Sequence, residues 1–199
     1  MERVRNNNLI LLGGGGHCKS VIDVAESAGY KILGILDPNE KIGSYVLGYP
    51  VIGNDDCISG YADKSLFLVT VGQIKNCDLR KILVQKVMSV GGHLATVIAS
   101  DAYVSKYAKI GVGTVIMHGA VVNADAKIGE NCIINTMANI EHEVAIGDFC
   151  HVSTGVMVNG MTKVGSETFI GSGSVLYNGI TIKEKTIIRA GSIVRNNIE

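Results

Sequence analysis

The chain has 199 residues, of which 47% are hydrophobic, with 18 basic side chains against 18 acidic ones and a formal net charge of zero. That balance leaves no basic field to hold a phosphate polymer, so nucleic acid is excluded as an expected partner. The apolar stretch after the charged N-terminus is only Leu9 to Leu12, too short for a signal peptide or a membrane span.

The first 90 or so residues read as an α/β unit. Leu9 to Leu12 is a buried strand, Gly13-Gly14-Gly15-Gly16 a tight loop, and His17 to Ala28 a helix with Val21, Ile22, Val24 and Ala25 on its apolar face. Lys31 to Leu36 is the next strand and ends at Asp37. In such a Rossmann-like βαβ unit, free N–H groups at the helix start favour a phosphate. Cys18 stands where a complete dinucleotide fingerprint wants a third glycine, so the loop alone is a weak signal. Asp37 either accepts from a ribose hydroxyl or base N–H, or ends the strand before Pro38. His17 either flanks a bound phosphate or merely starts the helix. A further strand, Leu66 to Val71, ends at Gly72, and a helix follows from Asp78 to Val90. Gly91-Gly92 is the expected joint between a domain over 1–92 and another over 93–199.

The second half has a different period. From Ile98 to Val194 every sixth residue is Ile, Val or Leu without a miss, in a chain where 59 of 199 residues are of those types. Chance gives such a run less than about once in a hundred million trials. The fifth place of each hexad is nearly always small, and glycines at 111, 129, 147 and 165 recur every 18 residues, so three hexads make one coil. Short strands around a triangular prism fit this pattern, with one large and one small side chain pointing inward per hexad, and Gly or Asn at corners of positive φ. Cys132 and Cys150, 18 apart at the small place, are expected as stacked apolar fillers. Five cysteines, odd in number and without Cys-x-x-Cys spacing, suggest a reducing cytosol.

Gly13-Gly14-Gly15-Gly16-His17 after a strand, the hexapeptide repeat, and Asn135 with Ile140-Glu141-His142-Glu143 and Ile146-Gly147 resemble the bacterial sugar acetyltransferases grouped with sialic acid O-acetyltransferases and UDP-4-amino-sugar N-acetyltransferases. The resemblance covers nearly the whole chain. It implies a left-handed parallel β-helix, a homotrimer, acetyl-CoA as donor with no metal, and an N-terminal domain that holds the sugar acceptor through Gly13, Gly14, Gly15, His17, Asp37 and Gly72. Relatives commonly continue into a Gly-x-Pro-Ala tail, whereas this sequence stops at Asn196-Asn197-Ile198-Glu199.

The hexad phase bears on catalysis independently. His142 is third in its hexad and should project from a corner, where Glu143 can orient its ring as a general base. Gly160, 18 residues on, should lie about 5 Å away with its N–H available to an oxyanion. The resemblance makes His151 an acetyl-CoA contact, against the alternative of a solvated turn histidine. Ser172 and Ala190, stacked 18 apart, form an edge that the resemblance assigns to the cofactor's pantetheine arm. Asn135 resembles a residue near the reacting centre, or is a corner Asn of left-handed φ.

His17 with His142-Glu143 looks like the branch that acetylates the amine of a nucleotide-linked 4-amino sugar, which is the preferred acceptor. Val158-Asn159-Gly160 and Val164 to Phe169 look like the sialic acid branch. Two rivals come from other classes: a metal-dependent hydratase of the hexapeptide carbonic anhydrase type using His118, His142 and His151, and a non-catalytic nucleotide-binding scaffold.

Overall fold

The computed structural model of the protein describes residues 7–199. It divides into two compact units: one of residues up to Gly72 with Asp78–Ala95, the other of Gln73–Cys77 with Thr96–Glu199. The short segment Gln73–Cys77 thus belongs with the second unit although the chain on both sides of it belongs to the first.

In the first unit, β1 (Asn8–Leu12), α1 (Gly16–Ser27) and β2 (Lys31–Leu36) form the anticipated βαβ turn. Strands β3 (Tyr45–Val46), β4 (Tyr49–Gly53), β5 (Leu66–Val69) and β6 (His93–Leu94) complete a six-stranded sheet of order β3-β4-β2-β1-β5-β6, with α2 (Asp78–Ser89) between β5 and β6. All pairings are parallel except the β3–β4 hairpin. Leu9 through Leu12 are fully buried, as the continuous apolar run of a central parallel strand requires. The hairpin is not legible in the sequence, because its tip, Leu47-Gly48, takes positive φ with a leucine rather than an Asn-Gly pair.

The second unit is a left-handed parallel β-helix. Two-residue strands stack into three sheets: the first runs from Val97–Ile98 to Ile187–Ile188, the second from Tyr103–Val104 to Ile193–Val194, and the third from Lys109–Ile110 to Thr181–Ile182. Each strand pairs in register with the one 18 residues on, as Ile116 with Ile134 and Ile134 with Val152. The sixth-residue aliphatics from Ile116 to Ile188 are all buried, each contributing roughly 1.5–3 kcal/mol by leaving water. Polar residues at the small inward place bond the next coil's carbonyls: Thr114 Oγ1 to Gly129 O at 2.8 Å, Thr162 Oγ1 to Tyr177 O at 2.7 Å. Cys132 and Cys150 do the same toward Gly147 O and Gly165 O, so they are stacked fillers with polar partners.

The corner chemistry departs from expectation. Every sixth residue from Gly113 to Gly191 has positive φ, but the positions include Met137, Glu143, Phe149, Met161, Glu167 and Lys185. The left-handed cost of about 1–2 kcal/mol is offset by a bond from that residue's own N–H to the preceding coil, as Glu143 N to Ala124 O at 3.1 Å and Met161 N to His142 O at 3.1 Å. The glycines at 111, 129, 147 and 165 serve another purpose. Their φ is ordinary, and a Cβ there would collide with the next coil, for instance with the backbone carbonyl of Gly129 from position 111.

Candidate functional site

In the first unit the glycine loop opens on a cavity of about 230 Å³. Gly13, Gly15, His17, Asp37 and Gly72 all line it, together with Pro38, Asp55, Thr70, Val71 and Leu79. Gly13 needs its positive φ of 107°, and a Cβ on it would lie 2.7 Å from the Val71 side chain. The α1 N-terminus has Gly15 as N-cap, with no side chain bonded to it and no acid in its first turn. A glycine cap brings no side-chain acceptor of its own to this turn, which suits an anion.

Asp37 is buried and already engaged: Oδ2 accepts from Gly14 N at 2.6 Å, and Oδ1 from Asn39 N at 2.7 Å and Glu40 N at 3.1 Å. Its turn role and its place in the cavity wall are therefore both real. Gly14 faces this carboxylate and is not among the residues lining the cavity. Thr70 ties the loop down by donating to Gly13 O at 2.6 Å. Burial pushes the neighbouring Cys18 thiol up to about 11, against a smaller lowering by its bond to Thr70. Sequence reasoning missed Thr70 and Asp55, whose partner Lys86 is 3.1 Å away. Neither carries a motif.

In the second unit His142 stands at the corner between the second and third sheets. Its Nδ1 lies 3.1 Å from Glu143 Oε2, and both side chains are about half exposed, at 53% and 55%. Gly160 sits beneath it in the next coil: a Cβ there would be 2.7 Å from His142 Nε2. Beside this pair the Glu141 carboxylate accepts from Asn139 Nδ2 at 2.9 Å and Asn123 Nδ2 at 3.1 Å. No motif singles out these two asparagines.

His151 is not solvated. It is 7% exposed, with Nδ1 2.6 Å from Gln73 O, Nε2 3.0 Å from Asn135 Nδ2, and the Phe169 ring edge-on at 5.2 Å. The solvated-turn alternative is thereby corrected, since Gln73, absent from any motif, covers the ring. Asn135 has no positive φ, which disposes of the left-handed reading; its Oδ1 accepts from Thr136 N at 2.7 Å. Ser172 and Ala190 lie on the corner between the first and second sheets, where Ser172 Oγ meets Ser153 Oγ at 2.9 Å. The candidate residues of this unit therefore occupy two corners: His142, Glu143 and Gly160 at one, and Asn135, His151, Ser172 and Ala190 at or beside the other.

The third histidine of the rival metal reading, His118, bonds Asp101 Oδ1 through Nδ1 at 2.6 Å. That bond holds the Asp101 carboxyl below the usual carboxylate range. Among the described residues no group of three or more His, Cys, Asp or Glu side chains is placed to hold a metal ion.

Residues 8–87 match the family described as PglD N-terminal domain. No curated protein matches the chain. Among solved structures, the acetyltransferase domain of PglB from Neisseria gonorrhoeae FA1090, in complex with acetyl coenzyme A, is 32% identical with a TM-score of 0.90, covering 97% of this chain and 93% of that one. PerB from Caulobacter crescentus, in complex with CoA and GDP-perosamine, is 33% identical with a TM-score of 0.87, covering 96% and 90%. A histidine-to-asparagine variant of perosamine N-acetyltransferase from the same organism, also with CoA and GDP-perosamine, is 32% identical with a TM-score of 0.89, again covering 96% and 90%. Identity above 30% over nearly the full length, with the fold in common, places the chain in the hexapeptide-repeat family of bacterial sugar acetyltransferases.

Proposed function

We propose that the protein transfers the acetyl group of acetyl-CoA to the amine of a nucleotide-linked amino sugar, with His142 as general base. The stacking of His142 over Gly160 carries this reading. Donation from Nδ1 to Glu143 leaves Nε2 with a free lone pair. Nε2 takes a proton from the acceptor amine as its nitrogen attacks the thioester carbonyl, and the Gly160 N–H faces the oxyanion. Collapse expels the CoA sulfur, which leaves with that proton as a thiol. Nothing in the sequence of steps needs a metal or a covalent enzyme intermediate.

The cavity beside the glycine-capped α1 N-terminus is the proposed acceptor site, where the helix start would meet the diphosphate. The relatives with bound GDP-perosamine support a nucleotide-sugar amine over a sialic acid hydroxyl. A homotrimer is part of the proposal. Its support is that donor-site candidates lie on two different corners, flanking a second-sheet face that exposes Tyr103, Met157 and Ile193. A neighbouring copy would cover that face and bring a second corner to the cofactor. Five cysteines without a disulfide accord with a reducing cytosol, and no helix among the described residues is long and apolar enough to cross a membrane.

The test is CoA thiol release with acetyl-CoA and parallel acceptors: GDP- and UDP-linked 4-amino sugars, and a sialic acid. Release with an amino sugar alone is expected. Release with the sialic acid alone would overturn the acceptor, and silence with all of them would favour the scaffold.

A further inference from the structure

We infer that Gln73 is a positioning residue for this reaction: it holds the coil at Phe149 and His151 from two points, and so fixes the His151 ring in one tautomer against Asn135. The effect on turnover rests on the acetyl-transfer reading; the clamp itself does not.

Gln73 is 3% exposed. Its side-chain Nε2 donates to Phe149 O at 2.8 Å, and its main-chain carbonyl lies 2.6 Å from His151 Nδ1. A carbonyl only accepts, so Nδ1 carries the proton and Nε2 of the neutral ring is an acceptor. Asn135 Nδ2 donates to it, while Asn135 Oδ1 takes the Thr136 N–H, which fixes the amide's orientation as well. Protonating Nε2 would set donor against donor. The His151 ring is therefore held in one tautomer by its two partners, and proton transfer falls to the half-exposed His142.

Two observations single out the Gln73 amide. Its Oε1 is buried with no hydrogen-bond partner among the described residues, a desolvation cost that an apolar residue of the same size would not carry. The segment's other end is held separately, with Cys77 Sγ 3.4 Å from Glu167 Oε2, one coil beyond Phe149. The amide is thus retained at a cost where the segment has another anchor, and what it sets is the carbonyl that faces His151.

The test is nitrogen-15 NMR of the histidine rings in the wild type, Gln73→Met and Gln73→Ala, with steady-state kinetics and melting temperatures alongside. The wild type is expected to show His151 protonated at Nδ1. In Gln73→Met the Nε2–H form should appear and kcat should fall about tenfold, with the acceptor KM within twofold and folding retained. A wild-type His151 protonated at Nε2 overturns the inference whether or not the variants fold. So does a variant that keeps both tautomer and kcat, or one that loses kcat with its tautomer unchanged. Because the tautomer is read without turnover, a wild type that transfers no acetyl group but responds as described sinks the acetyl-transfer reading and not the clamp.

Discussion

His142 and Gly160 are 18 residues apart and occupy one corner in successive coils, so close that the ring fills the space a Cβ would need. Gly160→Ala should therefore push the imidazole off its position, cutting kcat by roughly 10- to 100-fold while moving the melting temperature little. His142→Ala should cost a hundredfold or more, the usual range for a positioned base. Thiol release under saturating substrates measures both, and near-normal turnover in His142→Ala would remove the base assignment.

Glu143 combines a proposed role beside the base with a strained position, φ at 60°. Glu143→Gly should relieve about 1 kcal/mol of left-handed strain and raise the melting temperature by a few degrees. The same change removes the carboxylate from His142 Nδ1, so kcat should fall as stability rises. Calorimetry and kinetics on one preparation would show whether the two move in opposite directions.

Cys18 couples the glycine loop to alkaline pH. Its thiol is raised by burial from 9.0 to about 11, so the folded chain holds a proton that the unfolded chain releases. The resulting stability is complete below pH 9 and is lost as pH rises toward 11, at most about 3 kcal/mol given ~1.4 kcal/mol per tenfold. Urea unfolding of Cys18→Ala between those values should show a shallower decline than the wild type.

Asp101 works in the acid direction. Its bond from His118 lowers the carboxyl pKa on folding from 3.8, so it stabilises the fold above that value, and the contribution fades as pH falls through the lowered one. Asp101→Asn should melt slightly below the wild type near neutrality and coincide with it in strong acid. A gap that widens on acidification would contradict the sign.

Val175 lies on the second-sheet face between Met157 and Ile193, the surface that the trimer proposal gives to a neighbouring copy. Val175→Asp should reduce the mass seen by light scattering from about three times 21.0 kDa toward that of one chain, with loss of activity. A wild type that is monomeric at micromolar concentration, yet active, would end the trimer proposal.

The sixth-residue aliphatics were readable because each coil buries its side chains against its immediate neighbours, so the period that fills the prism is written locally. His142 over Gly160 follows from the same arithmetic, as does the stacking of Cys132 and Cys150. The βαβ turn was equally legible, since a fully apolar run, a glycine loop and an amphipathic segment succeed one another within 30 or so residues.

What the sequence alone determined, then, is what depends on spacing of 6 or 18: the prism, its inward residues and the stacking of His142 over Gly160. Tertiary structure decided what depends on distant partners. His151 meets Gln73 across 78 residues, and Asp37 meets Gly14 across 23. It also decided that Met, Phe and Lys can take left-handed corners, because a neighbouring coil's carbonyl compensates the backbone. A hydrogen bond to a far segment has no period, so no pattern along the chain announces it.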